Sequence, residues 1–244
     1  MAQNTLQGLR LEDTDALFID FDGTLAEIGP DPDAIRLAPG MEQVLQALCQ
    51  RLNGAVAILS GRDIRDLSLR IPSLVWRAGG HGLEVMAPGV LPPAEAPPPP
   101  PAAVLAPLEA VVDSHPGVRI ELKGPIAAVH YRAAPDAETA CVEAAQNAAS
   151  VLSGWVFQRG KMVVEVKPAH AHKGRALQSL ASAAPFAGRR PVMLGDDTTD
   201  EDAFVAAQAL GGIGVKIGEG ISAARLRTPD PASVRAWLTQ QAGL

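Results

Sequence analysis

Ala16-Leu-Phe-Ile-Asp-Phe-Asp-Gly-Thr-Leu25 decides how this 244-residue chain is read. Leu17 to Ile19 is a short apolar run that ends in a polar turn containing glycine, as expected of a buried parallel strand delivering residues to a site. The carboxylates of Asp20 and Asp22 then fall on the loop at the strand's carboxyl end, the edge where open α/β sheets bind ligands. A single Asp-x-Asp pair is more commonly an Asx turn before a helix. A second acidic group, Gly195-Asp-Asp-Thr-Thr-Asp-Glu201, shifts that balance because it too follows an apolar strand, Pro191 to Leu194. Two such loops at neighbouring parallel strand ends would converge. Their carboxylates repel unless a cation is present, and hard oxygen ligands with room for water favour magnesium. Asp200, Glu201 and Asp202 also suit the N-terminal turn of a helix without any ligand.

The pattern outward from Asp20 alternates strand and helix. Apolar positions Val44, Leu45, Leu48 and Leu52 have helical spacing, Ala55 to Leu59 reads as a strand, a helix follows from Asp63 to about Leu69, and a strand lies near Leu74 to Arg77. After Glu84 the punctuation changes: Pro88 to Pro101 includes five consecutive prolines, which fit a loop or stiff linker. Beyond it the expected elements are a helix (103–114), strands (118–122 and 126–131), a helix (136–152) and strands (156–158 and 162–166). Period-2 alternation around Val163 and Glu165 suits a sheet with one exposed face. From His172 the alternation resumes, with helices at 173–182, 202–210 and 232–241 and strands at 192–194 and 214–217. The fold class is therefore α/β, a Rossmann-like parallel-sheet core (residues 1–84 and 168–244) with an inserted α/β module (85–167) that the motif resemblance described next makes a cap domain.

Two further elements could complete a site. In Leu59-Ser-Gly-Arg62 a strand ends in a hydroxyl and a glycine at a helix start, where backbone N–H groups and Ser60 can hold a phosphoryl oxygen. Ser is also an ordinary helix cap. Lys173 begins a helix, where its ammonium could offset charge on a phosphoryl group.

The order Asp-x-Asp-Gly-Thr, Ser, Lys, Gly-Asp-Asp resembles the haloacid dehalogenase phosphatase superfamily. Gly79-Gly-His-Gly-Leu-Glu84, Glu121-Leu-Lys123, Val129-His-Tyr-Arg132, Val164-Glu-Val-Lys-Pro168, His172-Lys-Gly174 and Gly195 to Glu201 resemble the motif series of trehalose-6-phosphate phosphatases. The proline run departs from that pattern, as does a short N-terminus without a synthase or regulatory domain. The resemblance implies Asp20 as nucleophile, Asp22 as general acid and base, and Ser60 and Lys173 as phosphate clamps. It implies Mg2+ held by Asp20, the Asp22 carbonyl and Asp196, with Asp197 in support. It places Gly61, Arg62, His81, Gly82, Glu121, Lys123, Arg132 and Glu165 at the substrate. For Glu121, Lys123, Arg132 and Glu165 the competing reading is exposure on alternating strands; for His81 and His130 it is structural hydrogen bonding. Other open readings are a phosphatase for sucrose phosphate or mannosyl-glycerate phosphate, a mutase on the same core, or a catalytically silent sugar-phosphate-binding module.

Composition restricts the partners. A formal net charge of −6, with 47% hydrophobic residues, offers no global field for a polyanion. No nucleic-acid partner, no membrane span, free buried thiols at Cys49 and Cys141, and a monomeric cytoplasmic chain are the expectations.

Overall fold

A computed structural model describes residues 5–29, 31–160 and 162–244. The chain forms two compact units, one from the residues up to Pro92 together with His172–Leu244, the other from Pro93–Ala171.

The first unit is built on seven strands: β1 (Asp15–Asp20), β2 (Val56–Leu59), β3 (Trp76–Gly79), β4 (Glu84–Met86), and, after the second unit, β9 (Arg190–Gly195), β10 (Ile213–Ile217) and β11 (Leu226–Thr228). Their order is β11-β10-β9-β1-β2-β3-β4. All pairs are parallel except β3 with β4. β1 is central, with Asp20 opposite Leu59 and Ile19 opposite Leu194. Every residue of β1 is buried, so its unbroken apolar run follows from cover on both sheet faces. The cover comes from α1 (Met41–Arg51), α2 (Ile64–Arg70), α5 (Lys173–Ala181), α6 (Thr198–Ala209) and α7 (Pro231–Ala242). Helix α1 packs with α7, and α5 with α6. Phe18 stacks on Phe186 with ring centroids 5.2 Å apart, and Trp76 meets the same ring edge-on.

The second unit is an antiparallel sheet, β5-β6-β8-β7, from β5 (Arg119–Lys123), β6 (Ile126–His130), β7 (Trp155–Gly160) and β8 (Val163–Pro168), with helices α3 (Ala102–Ser114) and α4 (Glu138–Val151). Ala127, Val129, Val164 and Val166 form its core with Val104, Leu108, Cys141 and Ala145. The alternate positions Glu121, Ala128 and Glu165 are in register across three strands on the opposite face.

The units divide after Pro92 and Ala171 rather than at 84/85 and 167/168. The first shift has a plain cause: Glu84–Met86 pairs with β3 and extends the core sheet. Cys141 is a buried free thiol, whereas Cys49 is only half-buried. Among the described residues no helix is long and apolar enough to cross a membrane.

Phe18 has no exposed surface. Phe18→Ala should lower unfolding free energy by about 3–5 kcal/mol, read from the urea midpoint, because the ring leaves a cavity between β1 and Phe186.

Candidate active site

The two acidic loops meet as their strand positions require. Asp20 ends β1, and Asp196 immediately follows β9, the strand beside it. Lys173, the first residue of α5, is buried and donates to Asp20 Oδ1 at 2.6 Å and to Asp200 Oδ1 at 2.7 Å. Asp200 sits in the first turn of α6 with no exposed surface, and its Oδ2 accepts the backbone N–H groups of Asp196 and Asp197, each at 3.1 Å. Thr24 donates its hydroxyl to Asp196 Oδ1 at 3.3 Å, and Lys216 donates to the Asp196 carbonyl.

Close approach requires glycine at two positions. A Cβ on Gly23, which has φ +83°, would lie 2.2 Å from Asp196 Oδ2; one on Gly195 would lie 2.3 Å from Asp200 Cγ. Neither contact leaves room for a side chain.

Oxygens of Asp20, Asp196 and Asp200 lie within 4.8 Å of one another, with the Lys173 ammonium on two of these carboxylates and Lys216 on the Asp196 carbonyl. Burial, then the neighbouring Asp200, raises Asp20 well above the usual carboxylate range, and Lys173 only partly opposes this. The same two causes push Asp196 up to about 6. Burial acts to lower Lys173, but Asp20 and Asp200 outweigh it and keep it charged. An excess of buried negative charge on hard oxygen donors fits a small divalent cation.

Asp197 caps α6, its carboxylate accepting from the Thr198 N–H at 2.7 Å, and lies outside this group of three. Asp200, not singled out as a ligand in the sequence, is the third carboxylate of the group. Its signal in the sequence was present, four residues after Asp196, but a helix-terminal acid reads the same way without a ligand. Glu201 accepts from the Ser222 hydroxyl and the Ala223 N–H, tying down the loop before β11.

Ser60 ends the β2 segment, buried, and its Oγ accepts the Arg62 N–H at 3.1 Å. Gly61 lies against the His81 ring, where a Cβ would be 2.7 Å from Cε1. His81 is buried at φ +56° and donates its N–H to the Ser60 carbonyl. Gly82, φ +95°, faces Ala176 of α5 at a distance no Cβ would tolerate. These residues bind β2, the turn after β3 and α5 together. Asp22 is held by Arg62, whose Nε and Nη2 each donate to it at 2.7 Å.

In the second unit, Lys123 Nζ lies 3.6 Å from Glu165 and 3.8 Å from Glu121, and Glu121 pairs with His130 at 2.8 Å. The His130 hydrogen bond holds the Glu121 carboxyl below its ordinary range despite burial. Arg132 is exposed in the turn after β6.

A central strand ending in Asp20, a lysine tying it to Asp200 at the start of the helix after the Asp-Asp loop, and a second unit inserted after β4 define a phosphatase of the haloacid dehalogenase class. A family model described as trehalose-phosphatase matches residues 18–227. The chain is 40% identical over 225 residues to the trehalose-6-phosphate phosphatase of Escherichia coli (strain K12), covering 91% of this chain and 85% of that one. It is likewise 40% identical to a probable trehalose-phosphate phosphatase of Sinorhizobium fredii, covering 85% and 79%. The fold matches the C-terminal domain of Candida albicans trehalose-6-phosphate phosphatase with a TM-score of 0.80, at 23% identity over 95% of this chain and 93% of that one. The chain belongs to the trehalose-phosphatase family.

Asp196 gives a test without substrate. Between its ordinary 3.8 and about 6 the folded state holds a proton that the unfolded state has lost, so this group's contribution to stability falls as pH rises through about 6. In metal-free protein, the difference in urea midpoint between wild type and Asp196→Asn should widen in favour of the variant from pH 5 to pH 8.

Proposed function

We propose that this chain hydrolyses trehalose 6-phosphate to trehalose and phosphate through an aspartyl-phosphate on Asp20. The observation that carries the reading is the buried Asp20–Lys173–Asp200 bridge at the carboxyl edge of β1, within a family match that spans both units.

Asp20 is the natural nucleophile, because it stands at the strand end with its orientation fixed by Lys173. A carboxylate that attacks phosphorus divides one difficult displacement into two easier ones. Asp22, two residues on, gives its proton to the sugar oxygen as the ester P–O bond breaks. It then takes a proton from the water whose oxygen bonds to phosphorus as the acyl-phosphate bond breaks. Lys173 holds Asp20 and balances charge gathering on the phosphoryl oxygens, and Ser60 with its adjoining N–H groups supplies donors to them. Mg2+ suits Asp20, Asp196 and the Asp22 carbonyl, with Asp200 in support, and when bound would neutralise charge on the transferring group.

Glu121, Lys123 and Glu165 form a polar group on the open face of the second sheet, with acceptors and a donor suited to sugar hydroxyls. We assign them to sugar recognition. Arg132 is assigned with them from its place in the motif series.

Three measurements test the reading. Phosphate release should be faster from trehalose 6-phosphate than from glucose 6-phosphate or sucrose 6-phosphate, should stop with a chelator, and should be lost in Asp20→Asn; retained activity in that variant would rule out the covalent route. Mg2+ at about 100 times its dissociation constant should add about 2.7 kcal/mol of stability, seen as a higher melting temperature in wild type and absent in Asp196→Asn. Glu121→Ala should raise KM for trehalose 6-phosphate while leaving turnover of p-nitrophenyl phosphate, which has no sugar, close to wild type.

A further inference from the structure

Arg62 stands in the segment whose serine is assigned to the phosphoryl group, yet its donors are already directed elsewhere. Nε and Nη2 grip both oxygens of Asp22, Nη1 donates to Asp66 Oδ2 at 2.8 Å, and Nη2 donates again to the Pro32 carbonyl at 3.0 Å. Those contacts take four of its five N–H groups. The guanidinium carbon also lies 5.6 Å from the centre of the Phe21 ring. Little is left for a ligand.

Its anchors are themselves anchored. Asp66 accepts from Arg70 Nε at 2.9 Å and from Nη2 at 2.5 Å. Arg70 is buried and donates to the carbonyls of Ile35 at 2.6 Å and Asp33 at 3.1 Å. A line of alternating charge therefore runs from Asp22 through Arg62, Asp66 and Arg70 into the 31–36 segment.

We infer that Arg62 is a positioning residue for proton transfer: it fixes the orientation of Asp22 and contacts neither the phosphoryl group nor the sugar. This rests on the reading of Asp22 as the proton carrier. A planar two-pronged donor sets both the position and the plane of a carboxylate, which a lysine's single ammonium does not. Held at both oxygens, Asp22 keeps one orientation through the two steps assigned to it. Asp66 and Pro32 keep the guanidinium in place while it does so.

The test uses aryl phosphates, which carry no sugar hydroxyls and differ in how much their leaving group needs a proton. Single-turnover phenol release is measured for p-nitrophenyl phosphate and phenyl phosphate in wild type, Arg62→Lys, Asp66→Asn, Asp22→Asn and the Asp22→Asn/Arg62→Lys pair. Arg62→Lys should lose about 10- to 100-fold on phenyl phosphate and far less on the p-nitrophenyl ester. Asp66→Asn, which leaves both Arg62 and Asp22 in place, should show the same tilt more weakly. In the Asp22→Asn background, Arg62→Lys should change the rates by no more than about 2-fold. Equal losses on both esters, a raised KM with unchanged leaving-group dependence, or a full loss in the Asp22→Asn background would each overturn the inference. If Asp22→Asn itself responded equally to both esters, the assignment of Asp22 would fall as well. A steep Asp22→Asn response beside a uniform Arg62→Lys response would remove only the role given to Arg62.

Discussion

One buried ammonium holds this site together. Lys173 spans the loop after β1 and the first turn of α6, elements more than 170 residues apart in the chain, by donating to Asp20 and Asp200. Two carboxylates in a dry interior are costly when unpaired and tolerable when each shares a cation and further hydrogen bonds. Asp200 meets the second condition through the N–H groups of Asp196 and Asp197. On the proposed reading, the remaining capacity of Asp20 serves the metal and the phosphoryl group.

The architecture around that lysine is a problem of close approach. Parallel neighbours β1 and β9 bring their loops to one edge, but only side-chain-free backbone at Gly23 and Gly195 lets the loops come near enough for Asp196 and Asp200 to lie beside Asp20. Charge and shape are thus solved by different residues. The acidic groups gather the negative charge, and the glycines fix how near together they stand.

Much of this was legible in the sequence because it was written in strong local patterns. The buried strand read at 17–19, the alternation of helix and strand, and the acidic segment after β9 each have a period or a composition that tertiary context did not override. The weaker readings failed where one residue type serves two physical roles. Glu84–Met86 is too short to show a period, so the end of the core sheet was placed early. Asp197 and Asp200 are both favourable at a helix start, and only their coordinates separate the cap from the buried partner of Lys173. Arg62 was placed at the substrate by the family resemblance, and nothing local reveals that Asp22, Asp66 and Pro32 take its donors.

The central position of β1 also bears on how the protein is made. β1 leaves the ribosome before its partner β9, which lies at residues 190–195, after the whole second unit. Until then one side of β1 has no neighbour, and its apolar residues and unpaired backbone are open to association with other chains. The second unit, whose sheet and helices draw only on residues 93–171, can fold during this interval. The site is therefore assembled only after the second unit has been made: a chain cut before β9 has the strand that carries Asp20 but has neither the loop of Asp196 nor the helix of Asp200.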